Sequence, residues 1–188
     1  FLTTLLIIKV RKWNKKIKIK DLVEEQLKRG YFVDKNGNKI AKSTITKKTR
    51  SYNIRQNKIE NSNIINYVKI PVKETLVKII DETGIELITT KNTPLLTDKK
   101  GNKIYIKAEK LKVGDCLITA RKIFNTPTKT NNETQLCKIK IIKKVKDNFV
   151  YDFTVQKNHN FFANGFLVHN TLLVMYRLTR QGNPSGER

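Results

Sequence analysis

Cysteine, histidine and acidic residues are all scarce in this 188-residue chain, and each scarcity removes a class of explanation. The two cysteines, Cys116 and Cys137, are too few for a disulfide framework and lack the CxxC spacing of a zinc site or redox pair. They read as core thiols. Long apolar runs are missing too: FLTTLLIIKV is apolar for about ten residues before it meets Arg11, Lys12, Lys15 and Lys16, too short to span a bilayer. A signal peptide would carry its positive charge ahead of the apolar stretch and a small-residue cleavage site after it, and neither is present. The expectation is a soluble, cytoplasmic chain that uses no membrane, metal or cofactor.

What is abundant is lysine. Lys and Arg total 39 against 16 Asp and Glu, a formal net charge of +23. Such an excess suggests a nucleic-acid partner, because clustered cations release counterions from a phosphate backbone. The lysines are nevertheless spread from Lys9 to Lys144, and Arg, which grips phosphate through paired hydrogen bonds, is scarce. The charge does not by itself select a partner. At 38% hydrophobic, the chain has enough apolar residues to bury a core.

Short Ile- and Val-rich runs alternating with Lys predict an all-β plan. Leu5 to Val10 and Lys16 to Ile19 read as strands around a turn at Trp13-Asn14-Lys15. Asp21 opens one short helix, with Leu22, Val23 and Leu27 on one face and Gly30 as its stop. Asn36-Gly37, Thr83-Gly84 and Lys100-Gly101-Asn102 mark hairpins. Further strands are expected at 64–70, 75–80, 86–90, 103–107, 138–146, 149–155 and 166–168, with a loop over 158–165. Residues 125–135, NTPTKTNNETQ, are polar and aperiodic and read as a surface loop. The composition changes again near residue 170.

Both histidines fall in one stretch, His159 and His169, and His169 directly precedes Asn170-Thr171. The Asn170 side-chain nitrogen can attack its own main-chain carbonyl, closing a succinimide and breaking the bond to Thr171. An amide is a poor nucleophile and the departing amine must be protonated, so this reaction needs a placed acid and base. Imidazole suits both roles near neutrality. The Thr171 hydroxyl could attack an upstream acyl group. Taken alone, His-Asn-Thr is far more often a surface turn, and Asn170 acquires meaning only from its longer context.

That context, VYDFTVQKNHNFFANGFLVHNT from Val150 to Thr171, resembles the C-terminal splicing block of inteins in every spacing. The resemblance implies that Asn170 cyclises, that His169 assists, that His159 tunes proton transfer and that Asp152 orients the junction. Thr171 would be the +1 nucleophile and first residue of the downstream flank. IKIKDLVEE, AEKLKVGDCLI and ITTKNTPLLT are similar, more loosely, to other intein segments, and the last assigns Thr90 to the site. The family's second block has Thr-x-x-His-Pro, whereas here Thr93 stands in the histidine's place. Thr90 is almost as readily a strand-end hydroxyl bonded to backbone.

The resemblance implies an all-β horseshoe of the Hint type with one short helix near the N-terminus. It also implies a splicing domain over 1–170 and a flanking fragment over 171–188, with loop 125–135 where many inteins carry a homing endonuclease. A mini-intein lacking that endonuclease is expected, a monomer whose partners are its own flanking exteins, doing single-turnover chemistry on its own backbone. Leu6-Ile7-Ile8 fits the family's first block if one Cys directly precedes Phe1. Phe1 itself offers no nucleophile, so the N-terminal acyl shift is expected to be impaired or absent in this chain. Two alternatives stay open: a basic β-domain that binds nucleic acid, and an autoprocessing Hint domain of another type, such as the hedgehog-like domains.

Overall fold

Two sheets share the work of bringing the chain's C-terminal block against its centre. A computed structural model describes residues 5–10, 13–120 and 134–170. Within them run fifteen strands: β1 (Leu5–Val10), β2 (Trp13–Lys18), β3 (Phe32–Val33), β4 (Lys39–Lys42), β5 (Lys48–Asn53), β6 (Lys58–Pro71), β7 (Leu76–Asp81), β8 (Glu86–Thr89), β9 (Pro94–Lys99), β10 (Asn102–Lys107), β11 (Cys116–Thr119), β12 (Gln135–Val145), β13 (Phe149–Val155), β14 (Asn160–Ala163) and β15 (Phe166–His169). One α-helix, α1 (Ile19–Leu27), follows β2. The architecture is the expected all-β horseshoe with a single short helix near its start.

One sheet runs β2-β1-β5-β6-β4-β3, with β13 on β6; the other runs β10-β9-β15-β11-β12-β7-β8, with β14 on β15. The 14-residue β6 is the spine of the first, pairing β5 along its first half and both β4 and β13 along its second. Its length lets a chain of short hairpins wrap without an exposed central edge.

Turn chemistry explains the tightest reversals. Lys100 and Gly101 both take positive φ, 55° and 86°, between the paired Lys99 and Asn102, as a two-residue type I′ hairpin requires. Asn164 and Gly165, at 49° and 85°, do the same between Ala163 and Phe166. The first reversal differs from the sequence expectation. Trp13 pairs with Val10 and lies inside β2 rather than in a turn. An aromatic residue flanked by no Gly or Pro fits a pleated strand better than a tight bend.

The main core gathers Leu22, Val23 and Leu27 of α1 with Tyr67, Phe153, Phe161 and Phe166. Phe153 and Phe161 stack with centroids 4.2 Å apart. Glu24 fastens the helix to this core's edge, its Oε1 accepting from Lys69 Nζ at 2.8 Å and Tyr151 Oη at 2.9 Å. Burial alone would raise the Glu24 pKa, but those two donors outweigh it and the group lies below its ordinary value. Glu24→Gln is therefore expected to lose about 1 kcal/mol, discounted for partial exposure, read as a lower urea midpoint with unchanged slope. Among the described residues, no helix is long and apolar enough to cross a membrane.

Candidate functional site

β13, β14 and β15 carry the site, and the backbone between β13 and β14 shapes it. Asn158 and His159 both sit in the left-handed region, φ 58° and 50°, a conformation that costs side-chain-bearing residues energy and needs external support. Asn158 supplies it, its Nδ2 donating to Ser51 Oγ at 3.2 Å and Glu60 Oε1 at 2.8 Å. The resulting bend aims the His159 carbonyl at the main chain of Asn170, whose N–H donates to it at 2.8 Å. Residues 160–163, expected to be loop, are strand β14, paired through Asn160↔His169. All four are buried, so the polar-apolar alternation that would announce a strand is absent from NFFA.

Asn170 is 1% exposed, and among the described residues neither its Nδ2 nor its Oδ1 has a hydrogen-bond partner. Leaving a buried polar group unsatisfied costs about 1–3 kcal/mol. Folding therefore gains nothing from this amide as placed. Its own carbonyl oxygen lies 3.1 Å from Nδ1 of His169. A carbonyl only accepts, so the proton sits on Nδ1 and that nitrogen polarises the carbonyl carbon beside the unpaired amide.

The His169 imidazole is half-buried, and its pKa is held below the ordinary histidine value. Desolvation is the main cause, opposed by the hydrogen bond to the Asn170 carbonyl and reinforced by the nearby His159. The unfolded chain consequently binds a proton first as pH falls, so His169 should subtract stability below about pH 6.5. Denaturation midpoints of the parent and His169→Gln, compared down the pH scale, should diverge in that direction, the parent falling more steeply.

One cleft, of about 280 Å³, holds much of the remaining set: Thr90, Thr93, Asp152 and His169 all line it, with Glu74 and Lys91 beside them. Asp152 is buried, its Oδ1 accepting from the Phe153 N–H at 2.8 Å. The Thr90 and Thr93 hydroxyls meet at 2.8 Å, and the Thr93 N–H donates to the Thr90 carbonyl at 3.1 Å. His159 reaches Asn170 through its backbone, and its ring Nδ1 donates to the Val155 carbonyl at 3.2 Å. Thr171, loop residues 125–133 and Phe1 lie outside the described residues.

The profile of the intein splicing domain family matches residues 8–170, ending on Asn170. The chain belongs to the intein splicing domain family. Its activity is accordingly protein splicing, and it is a mini-intein set between the exteins of a host protein. The crystal structure of the transcription factor IIB Mvu mini-intein is 26% identical, covers 90% of this chain and 97% of its own, and superposes with a TM-score of 0.77. That of an intein from a hyperthermophile is 18% identical, over 89% and 96% of the two chains, with a TM-score of 0.78, a likeness in fold. Elongation factor 2 of Methanopyrus kandleri is 54% identical over 41 residues, 22% of this chain but 3% of that protein. An uncharacterized protein of Methanocaldococcus jannaschii is 29% identical over 116 residues, 60% of this chain and 15% of that protein. The chain thus spans a small part of these two relatives.

Sequence reasoning missed the residues behind the site. Tyr105 of β10 stands edge-on to the His169 ring, and Ser51 and Tyr52 of β5 hold the Asn160 side chain. No local motif marks them, because they act from 50 or more positions away.

Proposed function

We propose that this intein breaks the Asn170–Thr171 bond by cyclisation of Asn170, with Thr171 as the +1 nucleophile. The observation that carries the reading is the buried Asn170 amide, without a hydrogen-bond partner among the described residues, beside a carbonyl hydrogen-bonded to His169. Asn170 Nδ2 attacks its own carbonyl carbon, the bond to the Thr171 nitrogen breaks, and a proton passes from Nδ2 to the departing amine. The products are a chain ending in an aminosuccinimide and a peptide with a free Thr171 amine, without uptake of water. His169 polarises the carbonyl through Nδ1–H. Asp152 orients the junction from the same cleft, His159 holds the Asn170 N–H through its carbonyl and tunes proton transfer, and the Thr90 hydroxyl serves the upstream junction.

On this reading the splicing domain is 1–170 and residues 171–188 belong to the downstream extein. The domain acts as a monomer on its own flanks and calls for neither cofactor nor nucleic acid. Intact-mass spectrometry of the purified chain after prolonged incubation tests it. The expected species are the 171–188 peptide and a 1–170 product one water lighter than hydrolysis would leave. An unchanged mass, or a product carrying the added water from the outset, overturns cyclisation.

A further inference from the structure

The Asn160 side chain is 1% exposed and its amide is saturated from both ends. Oδ1 accepts from the Tyr52 N–H at 2.8 Å and from Ser51 Oγ at 3.0 Å. Nδ2 donates to the Tyr52 carbonyl at 2.9 Å and to Tyr105 Oη at 3.1 Å. By engaging both main-chain groups of Tyr52, the amide behaves as one more backbone unit paired to β5, and so clips β5 of the first sheet to β14 of the second. Asn160 is also the strand partner of His169. The fourth bond runs to a tyrosine whose ring meets the His169 imidazole edge-to-face, centroids 4.9 Å apart and planes at 79°.

We propose that Asn160 and Tyr105 form a positioning unit for His169, Asn160 anchoring the Tyr105 hydroxyl so that the ring holds the imidazole with Nδ1 on the Asn170 carbonyl. The unit deepens the cyclisation reading and rests on it for its effect on rate. An imidazole is free to rotate about its outer side-chain bond unless something packs against its faces, and a broad two-fold torsion is a poor foundation for one directed hydrogen bond. Tyr105 supplies that packing wall. Burial pushes its hydroxyl pKa up to about 12, so it stays neutral and remains an acceptor for Asn160 across the working pH range. A buried amide with all its groups satisfied is rigid in a way that a hydrophobic side chain is not.

The test uses two tyrosine variants, because Asn160→Ala removes an inter-sheet clip and can unfold the domain. Tyr105→Phe keeps the ring and loses its anchor; Tyr105→Leu loses the ring. In the full chain, release of 171–188 should slow several-fold in Tyr105→Phe and by about tenfold or more in Tyr105→Leu. A purely structural role could also slow release, so the deciding readout is the imidazole of His169 followed by NMR through a pH titration. The titration is done in the full chain carrying Asn170→Ala, which stays intact and retains the carbonyl. Tyr105→Leu should move the His169 titration up towards the ordinary histidine value. A His169 titration unmoved in folded Tyr105→Leu overturns the proposal, whatever the rate does. Should the parent chain release nothing, the cyclisation reading fails separately, and the His169 titration still decides the positioning claim.

Discussion

Asn170→Ala is expected to abolish release of residues 171–188, leaving a single species of unchanged mass under conditions where the parent chain is cleaved. The size of the effect follows from what the side chain supplies. Its nitrogen is attached three bonds from the carbonyl carbon's own α-carbon, so that attack closes a five-membered ring, and intramolecular attack in a well-oriented geometry has an effective molarity on the order of 10⁵ M or more. No other nucleophile within the described part of the site replaces that advantage: the Thr90 and Thr93 hydroxyls are bonded to each other. The variant should also be no less stable than the parent, because alanine removes two buried polar atoms that have no partner among the described residues. Asn170→Gln separates chemistry from polarity. It keeps an amide but adds a methylene in a position 1% exposed, so it must form a larger ring from a crowded start and should release the peptide far more slowly. Intact-mass time courses of the three chains, with urea denaturation alongside, check both halves. Release from Asn170→Ala at the parent's rate would place the cleavage chemistry elsewhere.

Much of this site can be read without coordinates because its chemistry is local. His159, Asp152, His169 and Asn170 fall within one run of chain, and β13 lies where the aromatic and β-branched residues of Phe149 to Val155 place it. The hairpins at Lys100-Gly101 and Asn164-Gly165 are legible for a similar reason: two successive positive-φ positions admit few residues. What is illegible is carried by side chains that act across the fold. β5, KTRSYN, looks like a polar loop, yet its Ser51 and Tyr52 are completely buried, Ser51 with its hydroxyl on the Asn160 amide and Tyr52 in an apolar cluster with Ile59, Leu96 and Phe162. β14 was hidden for the opposite reason, burying every residue and so lacking a two-residue period. Tyr105 reads as one more residue of an alternating strand until its ring is seen against His169. Long-range satisfaction of buried polar groups leaves no periodic trace in a sequence.

His169→Ala should lower the rate of peptide release by about 10²–10⁴-fold while leaving the products the same, the span typical of losing a placed acid-base group. The attacking amide remains, so slow release persists, unlike in Asn170→Ala. The pH dependence gives the sharper check. At neutral pH the imidazole is neutral with its proton on Nδ1, because burial holds its pKa below the ordinary value, and it gives the Asn170 carbonyl an uncharged hydrogen bond. Below that depressed pKa the same N–H belongs to an imidazolium, and a charge-assisted bond is roughly twice as strong as a neutral one. The extra proton on the ring is also the one a departing amine needs. Per folded molecule, then, release should accelerate as pH falls, with its inflection below about 6.5. His159, which also acts on the ring, and Asp152 are the groups to be separated from that inflection, His159→Gln serving as the control for the first. Tyr105 stays protonated throughout. Asp152 shares the cleft, so Asp152→Asn serves as the control that must retain the inflection. His169→Ala should lose it. An inflection that survives in His169→Ala and disappears in Asp152→Asn would assign the titrating group to the carboxylate and take the electrophilic role away from the imidazole.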